Sequence, residues 1–195
     1  GNRREVRVRT IALELARIGG GKRGAFGSLC AVEAAALAAL GRRDEAVRVL
    51  DLRLAEDPDD PEVLAGRATL HLAAGQPGPG ETLLRRAVAA DALHHRSRLA
   101  LAALLTGSGR DDEAVRLLED LLRIDPGHAE ALARIGAVRA VDPATARPYL
   151  EEAVRLQPRR VDYLIQLGVC YLRLGDHRRA EATLRRGLEI APDDR

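Results

Sequence analysis

A short punctuation recurs along this chain: Glu56-Asp57-Pro58, Ala90-Asp91-Ala92, Ile124-Asp125-Pro126, Leu156-Gln157-Pro158 and Ile190-Ala191-Pro192, at steps of 34, 34, 32 and 34 residues. A period of this length limits the fold severely, because each unit is too small to bury its own apolar face and must lay it against the next copy. Units beginning at Gly27, Pro61, His95, Ala129 and Val161 account for residues 27–194. The expected organisation is therefore a segment 1–26 followed by units 27–60, 61–94, 95–128, 129–160 and 161–194.

Inside each unit two apolar stretches of helical length flank a short polar break, and the break carries a glycine at Gly41, Gly75, Gly109 and Gly175. The spacing predicts helix, turn, helix. Asp60-Pro61 and Asp142-Pro143 each set a capping carboxylate ahead of a proline whose missing N–H costs nothing at the first helical position. Pro58, Pro126, Pro158 and Pro192 stop the second helices. Alternating β-branched runs are absent, so the chain is expected to be all helix. Two units depart from the pattern. The second has a Pro77-Gly78-Pro79-Gly80 turn, from which a late start to its second helix is expected. The fourth is two residues short, between Val141 and Asp142, which calls for a tighter turn.

The fifth unit carries Leu164, Leu167-Gly168, Tyr171, Gly175-Asp176, Ala180, Leu184 and Pro192. The third carries Leu101-Ala102, Leu105, Gly109, Ala114, Leu118 and Pro126, and the first Ala34, Leu37, Gly41, Ala46, Leu50 and Pro58. This pattern resembles the tetratricopeptide repeat. The resemblance implies an all-α fold, an α-α solenoid with right-handed superhelical twist made of about five helix-turn-helix units, with an additional N-terminal helix. Small residues recur at Ala34, Ala68, Ala102, Gly136 and Gly168, and close approach of two helices needs a small side chain at the contact.

Charge and composition narrow the functional classes. Thirty-one basic residues against twenty-nine acidic ones leave a net charge of +2, which argues against a body built to grip nucleic acid. The asymmetry is local. Residues 1–23 carry +5, leaving the remainder at −3. Within them Val8, Ile11, Ala12, Leu15 and Ile18 follow i, i+3, i+4, i+7 spacing, as in an amphipathic helix with arginines outward. A helix capping the first unit is the favoured reading; a degenerate preceding repeat and a basic arm for RNA or an anionic membrane are the alternatives. Aromatics that would stack bases or sit among headgroups make up only 2% of the chain. The longest apolar runs, Ala34 to Leu40 and Leu99 to Leu105, are far short of the roughly 20 residues of a membrane span. A cytoplasmic location is expected, with Cys30 and Cys170 as reduced core thiols. The start at Gly1 in place of methionine, and a C-terminal Pro192-Asp193-Asp194-Arg195 in the register of a new helix start, lead us to expect a domain from a longer protein. A second chain covering that end, through self-association, is the other expectation.

No chemistry-bearing constellation emerges. Gly19-x-Gly21-x-x-Gly24 spells a dinucleotide fingerprint without the strand it requires, and Arg23 follows Lys22 where a phosphate loop needs Ser or Thr. His71, His94, His95, His128 and His177 have no metal-ligand spacing. No metal site, cofactor or catalytic residue is expected, and the chain is expected not to be an enzyme.

The family resemblance implies that first helices line a concave groove holding a peptide. On that basis the exposed columns are the fifth residues (Ala31, Ala65, Leu99, Ala133, Ile165), the ninth (Ala35, Thr69, Ala103, Ala137, Val169) and the twelfth (Ala38, Leu72, Thr106, Ala140, Leu172). They are almost wholly apolar, which suits a groove for an apolar segment and equally suits small residues that let successive helices pack closely or lie covered within a longer array. Arg96, Arg134 and Arg173 flank them, with Glu62, Glu130, Asp162 and Gln166, as a polar rim. The expected function is a non-catalytic interaction scaffold or adaptor holding an apolar peptide or amphipathic helix from another protein or from a domain of its own parent chain. The alternative is a regulatory or substrate-recruiting arm of a larger enzyme. Nucleic acid and membranes are disfavoured as partners.

Overall fold

The computed structural model describes residues 23–190, with side chains from Phe26 onward. The basic stretch up to Lys22 and the terminal 191–195, on which the capping-helix and C-terminal expectations rest, lie outside the described residues. Among the described residues ten α-helices occur: α1 (Arg23–Ala39), α2 (Arg43–Glu56), α3 (Pro61–Ala73), α4 (Pro77–Ala90), α5 (His95–Gly107), α6 (Asp111–Ile124), α7 (Ala129–Val138), α8 (Pro143–Leu156), α9 (Val161–Arg173) and α10 (His177–Ile190). A 3-10 turn at Arg139–Val141 joins α7 to α8. Among the described residues there is no strand. The chain divides into two compact units, the first ending at Leu101 and the second beginning at Ala102.

Helix starts and stops follow the local chemistry. Asp60 caps α3 by accepting from the backbone N–H of Glu62 (3.1 Å) and Val63 (3.2 Å). Asp142 caps α8 by accepting from Ala144 N–H (3.0 Å). The turns inside four of the repeats share one geometry. Gly41, Gly75, Gly109 and Gly175 adopt φ between 71° and 79°, a left-handed conformation that strains any residue bearing a Cβ. The residue after each glycine then donates back across the turn, as Arg42 N–H does to Leu37 O (2.9 Å) and Asp176 N–H to Tyr171 O (2.9 Å). This satisfies carbonyls that the helix end would leave orphaned. The fourth repeat has no such glycine. Its missing two residues are accommodated by the 3-10 turn, which leaves Val141 95% exposed.

The second repeat corrects one expectation: α4 starts at Pro77, not late, and has the same 14 residues as α2. Pro77 and Pro79 fall in the first turn, where backbone N–H groups have no intrahelical acceptor, so neither proline breaks a hydrogen bond. Gly80 occupies the small-residue position because Leu72 presses on it; a Cβ there would lie 2.8 Å from Leu72 Cδ2.

Within the first unit α1 packs on α2 and α3, and α3 on α4. One core there gathers Cys30, Ala34, Ala46, Leu50 and Val63. Within the second, α6 packs on α7, α7 on α8, α8 on α9 and α9 on α10, around Leu150, Val154, Tyr163, Leu164, Leu167 and Tyr171. The small-residue positions do what close packing requires. Ala34, Ala68 and Ala102 are no more than 1% exposed, and a Cβ on Gly136 or Gly168 would sit 2.6 Å from Leu150 or 2.5 Å from Leu184.

Candidate functional site

The first helix of each repeat sorts its sequence columns by burial. Ala31, Ala65 and Ala133 are 2–3% exposed; helix packing takes them up, and these three leave the candidate surface. Leu99 is half-buried, and Ile165 is open. The ninth column behaves differently: Ala35, Thr69, Ala103, Ala137 and Val169 are all exposed. Leu72 is half-buried and Leu172 exposed. The reason is angular. On a helix whose apolar neighbours sit on both sides, a step of four residues moves a position by about 40°, enough to swing the ninth residue out of the contact that holds the fifth.

In the second unit the exposed positions converge on a cavity. A half-open pocket of about 230 Å³ is lined by Gly136, Ala137 and Ala140 of α7 and its turn, Pro143, Ala146 and Leu150 of α8, and Ile165, Gln166, Val169, Cys170 and Arg173 of α9. The short side chains of Ala137, Ala140 and Ala146 leave this space unfilled. Along its open side Ile165, Val169 and Leu172 form an i, i+4, i+7 stripe on α9.

The rim charges largely satisfy one another. Arg96 meets Glu62 at 3.2 Å, Arg134 meets Glu130 at 2.8 Å and Arg160 meets Asp162 at 3.7 Å. Arg173 is different: its Nη1 donates to Ala140 O (2.6 Å). Gln166 carries a buried Oε1 with no hydrogen-bond partner. The Cys170 thiol, 5% exposed, donates to Pro143 O (3.2 Å). Burial pushes the thiols of Cys30 and Cys170 above their ordinary range, which keeps both protonated and unreactive at neutral pH.

Next to Cys170 on α9, Tyr171 O–H donates to Glu151 Oε1 (2.9 Å). Burial, and then the Glu151 carboxylate that holds its proton, push the phenol up to about 12. Between an unfolded value near 10 and this folded value, the native state keeps a proton that the unfolded chain has lost, so stability falls as pH rises through that window. Two pH units at about 1.4 kcal/mol each set a total loss of about 3 kcal/mol for the wild type, of which about 2 kcal/mol falls inside the window because titration is incomplete at its two ends. Tyr171→Phe should flatten that slope. Urea unfolding across the alkaline range checks it, and identical slopes in the two proteins would refute the assignment.

A tetratricopeptide-repeat family model matches residues 71–135 and 137–195, and a second one, also described as a tetratricopeptide repeat, matches residues 31–70. This chain belongs to the tetratricopeptide-repeat family. Solved structures agree on the fold. The tetratricopeptide-repeat protein TTC0263 of Thermus thermophilus is 26% identical with a TM-score of 0.66, over 86% of this chain and 93% of that one. PilF of Pseudomonas aeruginosa is 18% identical with a TM-score of 0.76, over 85% and 76%. YrrB, described as a protein of this family "with an unusual peptide-binding site", is 17% identical with a TM-score of 0.63, over 85% and 87%. No curated protein sequence matches this chain. The family is one of protein-interaction scaffolds, and a general protein-binding role comes with membership. No helix among the described residues is long and apolar enough to cross a membrane.

The pocket itself was not legible in the repeat pattern of this tetratricopeptide-repeat chain, nor were Pro143 and Ala146 as its walls, whereas Ala140 stands in the twelfth column of the sequence. The pocket's one legible signal was the two-residue shortening of the fourth repeat. A cavity is the difference between side-chain volume and helix spacing, and only the second helix of the pair fixes the spacing.

Proposed function

We propose that this chain is a non-catalytic scaffold that captures an apolar peptide segment on the exposed faces of its first helices. The observation that carries this is the open stripe on α9, where Ile165, Val169 and Leu172 are 49%, 41% and 45% exposed beside an apolar pocket. Isolated exposed apolar residues are ordinary, whereas three at helical spacing against a cavity form a surface to which another chain can lose water. In the first unit Ala35, Thr69, Leu72 and Leu99 hold the corresponding positions, with Arg96 beside them, and in the second Ala103, Ala137 and Arg134 join the α9 stripe. Hydrophobic contact supplies affinity and the paired rim supplies register.

The test uses peptides selected on the intact chain from a random-sequence display library. Leu172→Asp places a charge on the open stripe, outside the pocket lining, and should weaken the selected peptides by about 30-fold, or roughly 2 kcal/mol. Because Leu172 is already solvent-facing, the melting temperature should hold. Peptides that bind the variant as tightly as the parent would end this reading.

A further inference from the structure

The pocket between α7, α8 and α9 is apolar apart from Gln166 and, at its mouth, Arg173, which stands exposed. The bond from Arg173 Nη1 to Ala140 O tethers the guanidinium to the pocket edge. That bond uses one of five N–H donors, and among the described residues no carboxylate pairs with this arginine. Glu151, on the adjoining helix α8, is already committed: it accepts from Tyr171 O–H at 2.9 Å and lies 3.8 Å from Arg147. Glu130 and Asp162 are likewise taken, by Arg134 and Arg160. A positioned, uncompensated cation thus borders a space lined by short apolar side chains.

We infer that this pocket is an anchor site for an acidic amphipathic segment, which seats one large apolar side chain inside while a carboxylate of the same segment pairs with Arg173. This rests on the groove reading above and adds the chemistry of the occupant. Volume supports the first half: a cavity of about 150 Å³ accepts benzene, so about 230 Å³ holds a phenylalanine or leucine side chain. Charge supports the second, because a guanidinium fixed by one bond presents its remaining donors to a carboxylate in a fork geometry. A basic or uncharged segment would leave that cation unpaired against an apolar partner.

Two small probes isolate the pocket from the rest of the groove. The intact chain, methyl-labelled, is titrated with 3-phenylpropionate and, separately, with 3-phenylpropan-1-ol, which has the same ring and no charge. Both should shift the methyl resonances of Ile165, Val169 and Ala137 saturably, the carboxylate binding about threefold to fivefold tighter at low salt, the gain expected of an exposed ion pair. High salt and Arg173→Gln should each erase that difference while leaving the alcohol's binding intact. Ala137→Leu, a solvent-facing change that fills the cavity, should abolish both. Equal binding of the two probes, or a carboxylate preference that survives Arg173→Gln, overturns the acidic occupant. Silence of the pocket methyls toward both probes overturns the anchor site itself. Neither result touches the broader groove reading, which stands or falls on peptide capture by Leu172→Asp.

Discussion

Asp60→Ala should cost this protein about 3–4 kcal/mol, since one side chain closes three separate contacts. Its carboxylate caps α3 through two backbone N–H groups, and losing such a cap costs about 1 kcal/mol. It also meets Arg53 Nη2 at 3.3 Å, with the Asp60 side chain 2% exposed and that of Arg53 11%. The arginine lies over the Phe26 ring, 5.2 Å from its centroid, and its Nε has no hydrogen-bond partner. Removing the acid therefore leaves a cation already out of water with less to compensate it. Breaking such buried pairs costs about 3–5 kcal/mol, and the lower end applies because Glu56 (3.2 Å) and Asp57 (3.5 Å) remain beside Arg53. Asp60→Asn keeps the cap oxygen and loses only the charge, so it should fall between the alanine variant and the wild type. Urea unfolding followed by circular dichroism measures both. A loss below about 1 kcal/mol for the alanine variant would mean that Asp60 is merely a cap.

Leu164→Ala should be comparably severe, at about 3 kcal/mol. Leu164 is 1% exposed at the centre of the second unit's core, and Gly187 of α10 lies against it, where a Cβ would stand 3.8 Å from Leu164 Cβ. Truncating a buried leucine removes its transfer free energy and opens a cavity, together about 2–5 kcal/mol depending on how far the site collapses. Collapse here is limited: α9 and α10 are already held at their closest approach by Gly168 under Leu184, so the helices cannot move inward to fill the void. A substitution that leaves the unfolding midpoint in place would show this packing to be looser than the geometry states.

Much of the architecture is legible in the residues. The 34-residue period, the break glycines and the Asp-Pro starts each encode a local event, and a local event needs no knowledge of distant neighbours. Gly41, Gly75, Gly109 and Gly175 illustrate this, since a positive φ is a property of a single residue. The late start expected for α4 failed for a related reason: Pro77-Gly78-Pro79-Gly80 spells a turn, whereas a helix's first turn also tolerates prolines.

The candidate surface was only half legible. The family resemblance implied that Ala31, Ala65 and Ala133 stand beside Ala35, Ala103 and Ala137 as equal members of a groove, and packing buries the first set and leaves the second open. The same holds for Asp60: its capping role was written in Asp60-Pro61, but its contact with Arg53 depends on Gly27 leaving room, since a Cβ there would come within 2.2 Å of the Asp60 carboxylate. By itself the sequence determined where helices begin, turn and end, because those choices are settled within a few residues by backbone hydrogen bonds and φ. Which small residues meet a neighbouring helix, which stay exposed, and where an apolar pocket opens were decided only by the tertiary structure, because they depend on distances between helices that no single helix contains.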